Sequence, residues 1–365
     1  MKKIKAMKSA KKRKNAKVIG MILGGLAGIV LILFVVWLII SKIGENSLYA
    51  TGNAEGNGEI VNISYLSNEE LADVMWRPGK VRYQGKVYEY NDKILTFLIM
   101  GVDKEGPLIA TEEEAAGGQS DALFLALLNP ETKSIDVLAV DRNLITTLTL
   151  PKMGENGEDA YTEGQITLQY GYGDGREGSC ELTKETVSST LYNLPIHGYA
   201  AIGYSAIPYL NDSVGGVEVT ITKDVLGDTH WTEGERVVLY GHEAIIFIRY
   251  RDTTIFESAR LRTMRQKEYL SAFVNQLFQQ SKEDITLPIR LYQGVQEYIV
   301  TDLSADEILF LAEEVIDYNF SEVKIHTMPG ETVQGEVYEE FYPNENELRE
   351  LMLELYYTQV TETEE

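Results

Sequence analysis

LTFLIMGV (Leu95–Val102), ALFLALL (Ala122–Leu128) and SIDVLAV (Ser134–Val140) follow one another closely along the chain. The first two are almost continuously apolar, as expected of strands buried on both faces, and Asn129–Lys133 forms a short turn between the second and third. A sheet buried on both faces needs helices to cover it. Upstream, SNEELADVMW (Ser67–Trp76) reads as a short helix with Ser67 as its cap and Glu70 at the third position, and VRYQGKVYEYND (Val81–Asp92) as a hairpin about Gln84-Gly85. Downstream, LTKETVSSTLYN (Leu182–Asn193) reads as a helix, SVGGVEVTI (Ser213–Ile221) as a turn and strand, and GHEAIIFIRYR (Gly241–Arg251) as a helix. SADEILFLAEEVIDY (Ser304–Tyr318), with Ser304 and Glu307 as a capping box, and NENELRELMLELYY (Asn344–Tyr357) are amphipathic helices. No second linker interrupts this alternation, so residues 80–358 are expected to form one α/β domain, a central mixed β-sheet flanked by helices. Polar residues stand at the strand ends: Asp103 after the first, Ser120 and Asp121 before the second, Arg142 after the third. In sheets covered by helices, sites are built at such ends.

The chain of 365 residues has a formal charge of −23, yet residues 1–17 carry nine cations and no anion. Residues 18–40 carry no charge, and at about 1.5 Å per residue they are long enough to cross a hydrocarbon core of roughly 30 Å. The adjoining SKIGENSLYA (Ser41–Ala50) is a poor cleavage site, so an uncleaved transmembrane helix is expected. The lysine-rich flank then stays cytoplasmic, with some affinity for anionic membrane lipid, and everything after Ser41 lies outside the cell. Residues 41–79 read as an extracellular linker with a short helix, the Gly- and Asn-rich part from Glu45 to about Glu59 being a flexible spacer. Residues 359–365 read as an acidic disordered tail. The single Cys180 excludes an internal disulfide. An acidic external domain and a tail too short for a DNA-binding fold exclude nucleic acid as a partner.

Against this acidity, IRYRDTTIFESARLRTMRQ (Ile248–Gln266) gathers Arg249, Arg251, Arg260, Arg262 and Arg265. Arginines so close repel one another unless an anion sits between them, and the guanidinium fork matches phosphate oxygens two at a time. In a helix from Ala259 to Gln280, Arg262 and Gln266 share one face with Arg265 beside them. Arg249 and Arg251 can point together only where a helix gives way to extended chain. A solvated basic face pairing with carboxylates is the plainer alternative. Other motifs fail: GYGDGREGS lacks the Lys-Ser/Thr of a P-loop, GYSAI lacks the second glycine of a nucleophile elbow, and the four histidines have no zinc spacing.

LTFLIMGVD, QSDALFLALLNPETKSIDVLAV, DRN at Asp141–Asn143, the segment Gln165–Gly175, VGGVEVTI, GHEAIIFIRYR and RTMRQ occur here in the order found in the LytR-CpsA-Psr family, which the chain resembles over nearly the whole external domain. That resemblance implies a magnesium-dependent transferase. It would move a glycopolymer from a polyprenyl-pyrophosphate carrier onto a peptidoglycan acceptor through a phosphodiester link. It implies that Asp103 and Asp121 hold Mg2+, and that Arg142, Arg249, Arg251, Arg262 and Gln266 grip the pyrophosphate, with Arg265 close behind. Three positions depart from the family pattern: Gln119 replaces an arginine, Asn143 an aspartate and Ala259 an acidic residue. Asp141 is a possible replacement carboxylate. Glu105–Gly118 reads as an insertion, an acidic mobile loop over the cleft. The alternative reading is a catalytically weakened polyprenyl-phosphate or wall-polymer binding protein with a structural role.

Overall fold

The computed structural model describes residues 39–50, 60–111, 116–154, 156–226, 230–252, 254, 258–284, 286–315, 318 and 323–361. The expected span at 18–40 lies outside these residues except for Ile39 and Ile40, and no helix among the described residues is long and apolar enough to cross a membrane.

Six strands form the central sheet: β1 (Leu95–Val102), β2 (Ser120–Asn129), β3 (Ser134–Val140), β4 (Gly198–Gly203), β5 (Ile299–Thr301) and β6 (Lys324–Thr327), in the spatial order β5-β4-β1-β2-β3-β6. The sheet is mixed: β1 pairs with β2 and β2 with β3 antiparallel, whereas β1–β4 and β3–β6 are parallel. Seven successive apolar residues on β2 are accounted for by two covered faces. On one face Leu123, Leu125 and Leu127 join a core completed by Cys180 and Val187 of the helix Glu177–Thr190, and by Leu348, Met352 and Tyr356 of the helix Glu345–Tyr356. On the other, Phe124, Val137 and Ala139 pack with Leu270 of the long helix Ser258–Glu283. A further cluster unites that helix, through Tyr269, with Ala244 and Phe247 of the helix His242–Arg249 and with the hairpin Val217–Thr220/Arg236–Leu239.

The short helix Asn68–Val74 carries the expected capping box, and the hairpin Lys80–Tyr83/Lys86–Tyr90 turns at Gln84-Gly85. Some expectations need correction. Residues 45–50, read as spacer, are helical, and 51–59 lie outside the described residues. Gln359 and Val360, assigned to a disordered tail, belong to a strand, Tyr357–Val360, that adds to the hairpin edge at Tyr88 and Val87. The open ladder of the hairpin supplies hydrogen bonds that outweigh the polar character of the tail. The described part of the expected mobile loop is anchored. Leu108 is fully buried, its amide donates to the Glu297 carbonyl at 2.9 Å, and its own carbonyl accepts from Arg176 Nη1 at 2.6 Å. Residues 112–115 of that loop are outside the described set.

The helix Ala305–Glu314 and residues 39–47 belong to a separate compact unit. Within it Ser304 and Glu307 form the expected capping box, and Ser41 and Ser47 donate to Glu313 and Glu307, each at 2.7 Å.

In the larger unit, Arg349 is buried and donates to the carbonyls of Ile63 (3.0 Å) and Leu66 (3.1 Å), tying the segment before the first helix to the last one. Arg349→Met keeps the apolar stem but leaves those carbonyls without donors, and should lower unfolding stability by about 3 kcal/mol. Urea denaturation checks this; an unchanged midpoint would show that the carbonyl clamp contributes nothing.

Candidate active site

The centre of the site is created by a slip in strand register. Met100 faces Leu123 and Gly101 faces Ala122, but Val102 faces Ser120, so Asp121 is the extra residue of a β-bulge. A bulge re-aims its side chain, and here it turns Asp121 off the regular alternation at the end of β2. Gly101 allows the close approach: a Cβ there would lie 3.0 Å from that of Ala122.

Two arginines converge on the released carboxylate. Arg142 Nη1 lies 2.7 Å from Asp121 Oδ1, and Arg262 Nη1 lies 3.2 Å from Oδ2. Thr167 Oγ1 also donates to Asp121, at 3.4 Å. Burial lowers the Arg262 pKa to about 10; Asp121 opposes the shift, while Arg142 and Arg251 add to it. Arg262 therefore remains charged at neutral pH although only 6% of it is exposed. Its Nε and Nη2, and Nε of Arg142, are buried donors that no protein acceptor reaches. Buried charged donors left unmatched are costly, and an anion with several oxygens would satisfy them.

Arg262 and Gln266 share the helix face expected for them and line one cavity of ≈ 120 Å³ with Asp103, Asp121 and Arg249. Val102, Ala122, Ile202, Ile207 and Ile248 form its apolar wall. This space suits a diphosphate and is too small for a polyprenyl chain. Arg249 ends its helix, donates to Asp103 Oδ1 at 2.5 Å and stacks over the Tyr204 ring at 3.9 Å. The chain leaves the helix at Tyr250, the condition under which the two arginines could converge, yet Arg251 is drawn away by other partners. It donates to Glu339 Oε2 (2.8 Å) and Ser258 Oγ (2.9 Å), and with Arg142 it lines a neighbouring polar groove.

Arg265 stands behind the cavity and does not line it. It is 2% exposed, donates to the carbonyls of Phe247 (3.0 Å) and Tyr250, and lies 3.0 Å from Asp224. The last carbonyls of a helix need donors, and Arg265 supplies them at the end of the helix that bears Arg249. It positions the site rather than lining the cavity. Asp141, the possible replacement carboxylate, accepts the Asn143 amide at 2.8 Å and closes a turn; burial raises its pKa. Asn143 is itself buried, accepting from Gln165 Nε2 at 3.2 Å. Sequence reasoning missed Tyr204, Thr167 and Glu339: the first two stand in segments noted for other reasons, GYSAI and Gln165–Gly175, and Glu339 in none. Among the described residues no group of three or more His, Cys, Asp or Glu could hold a metal by itself. Asp103 and Asp121 do line the same cavity, and two carboxylates completed by substrate oxygens suit magnesium.

The LytR_cpsA_psr family model matches residues 64–355. Curated relatives include the polyisoprenyl-teichoic acid–peptidoglycan teichoic acid transferase TagV of Bacillus subtilis, 24% identical over 307 residues, covering 82% of this chain and 69% of the relative. TagU of Oceanobacillus iheyensis, a transferase of the same description, is 27% identical over 265 residues, covering 71% and 74%. Among solved structures, B. subtilis TagV superposes with a TM-score of 0.55 at 21% identity, covering 72% of this chain and 96% of that one. TagT bound to LIIa-WTA gives 0.52 at 21% identity, covering 72% and 89%. Since the family model spans most of the chain, this protein belongs to the LytR-CpsA-Psr family.

Proposed function

We propose that this chain is a membrane-anchored transferase that moves a wall glycopolymer, of the teichoic acid type, from a polyprenyl-pyrophosphate carrier to peptidoglycan. The observation carrying this reading is the buried Arg262, which keeps two unmatched donors while its Nη1 pairs with the carboxylate that also holds Arg142. The names of the relatives, which join a polyisoprenyl-linked teichoic acid to peptidoglycan, supply the substrate classes.

In this reading the diphosphate lies along Arg262, Arg249 and Gln266, its oxygens taking up the unmatched guanidinium donors. The acceptor hydroxyl oxygen bonds to the phosphorus that bears the glycan, the bridging P–O bond breaks, and polyprenyl monophosphate leaves. The hydroxyl proton is given up to a carboxylate of the site. Charge develops on the equatorial and leaving oxygens, where fixed guanidinium groups stabilise it without reorganising. Asp103 and Asp121 would hold magnesium, which when bound neutralises charge on the phosphate oxygens. For that, each aspartate shares its carboxylate with an arginine, and the incoming phosphates compensate the arginine. The uncharged run at 18–40 would keep the site beside the bilayer in which the carrier resides.

With a polyprenyl-pyrophosphate glycan as donor, Arg262→Ala should lower kcat/KM by about a hundredfold or more, and Arg262→Lys should not restore it because lysine cannot make the bidentate contact. Retention of turnover in both would defeat the assignment; tight carrier binding without turnover by the wild type would establish a binding protein instead. Chelation of divalent ions should stop turnover and added magnesium should restore it, whereas indifference to the chelator would remove the metal. Protease added to wall-stripped cells should digest the domain and spare residues 1–17; a protected domain would refute the external location.

A further inference from the structure

Beside the phosphate cavity lies a second, larger concavity of ≈ 940 Å³, and its chemistry differs. The hairpin Ile145–Leu150/Ala160–Gln165 contributes Glu163 and Gln165, and the hairpin Gly330–Gln334/Glu339–Pro343 contributes Tyr338, Glu340 and Tyr342. The hairpins are joined beneath the groove: Gln165 Nε2 donates to the Glu339 carbonyl at 2.8 Å, and the Phe341 amide donates to the Asn143 carbonyl at 2.9 Å. Tyr338 is 68% exposed and Tyr342 42% exposed, and Tyr342 Oη donates to Glu340 Oε2 at 2.8 Å.

We infer that this groove is the acceptor subsite, and that it takes the amino-sugar backbone of a peptidoglycan strand; the inference rests on the transferase reading above. Position is the first argument. Asp121 lines the cavity, Arg142 lines the groove, and the two are 2.7 Å apart, so their ion pair is the partition between the two spaces. In phosphoryl transfer the attacking and leaving oxygens lie on opposite sides of phosphorus. A phosphorus held at this partition, with the leaving phosphate group on the cavity side, is open to attack from the groove.

Charge is the second argument, and it separates the acceptor from the donor's own polymer. Teichoic acid is a polyanion, whereas the groove presents Glu163, Glu339 and Glu340 against Arg142 and Arg251, which are already engaged by Asp121 and Glu339. Such a rim repels a polyphosphate chain and tolerates N-acetylated sugars whose lactyl carboxyls are tied up as amides. Shape and chemistry agree: the groove has the size of a site for several sugar rings, with the Gln119 amide and the Gln165 amide oxygen for hydroxyls and two exposed phenol rings for the apolar faces of sugars.

The test is the double variant Tyr338→Ala/Tyr342→Ala in the full chain, with a tetrasaccharide of alternating N-acetylglucosamine and N-acetylmuramic acid, its lactyl carboxyls amidated, as acceptor. The acceptor KM should rise about tenfold, and the donor KM should stay put. An unchanged acceptor KM overturns the inference, and so does a parallel rise in donor KM, which would give the groove to the donor glycan. Calorimetric titration with the same tetrasaccharide needs no turnover and keeps the two readings apart. If the wild type binds it and the double variant does not, the groove stands even where transfer fails; if the wild type does not bind it, the groove falls even where transfer succeeds.

Discussion

The contact on which the rest of the structure depends is the bridge of Asp121 between Arg142 and Arg262. A buried guanidinium loses its hydration, and a second cation nearby adds repulsion; one carboxylate shared by both offsets part of that cost. The offset is incomplete, since Arg262 keeps two donors without acceptors. The fold thus holds a strong anion-binding group in a partly unsatisfied state, as a site preorganised for a multiply charged guest requires. The surrounding chain is strongly acidic, so the gathered guanidinium groups are a local reversal of charge.

Everything that aims this bridge is structural rather than chemical. The bulge places Asp121, the turn closed by Asp141 and Asn143 places Arg142, and the long helix, packed on the sheet through Leu270, places Arg262. Arg265 shows how the second layer works. By capping the helix that ends in Arg249 it fixes where that arginine leaves the helix and where Arg251 diverges from it. The outcome is two adjoining spaces with different walls, one small and apolar-sided, one broad and polar, divided by an ion pair.

The departures at Gln119 and Asn143 fit this division. Gln119 faces the broad groove beside Arg142, where a neutral amide leaves the acidic rim unopposed. Asn143 is buried and hydrogen bonded to Gln165, a neutral link between the two hairpins that a carboxylate would charge. The structure offers no account of Ala259, whose side chain lies outside the described set.

Much of the architecture could be read directly from residue order. Apolar runs without alternation specified strands covered on both faces, capping boxes at Ser67 and Ser304 marked helix starts, and polar residues at strand ends marked the side on which a site would lie. The spacing of Arg262 and Gln266 gave their common face, because helical geometry is local. What tertiary structure alone decided was how side chains distant in the chain were sorted. Arg249 meets Asp103 across 146 positions and Arg262 meets Asp121 across 141, and no local pattern encodes either pairing. The diversion of Arg265 to a helix end and the pairing of Arg251 with Glu339 depend likewise on which segments pack together. Local propensity reports the backbone's preferences one element at a time, whereas a site is a relation between elements, set by strand register and packing.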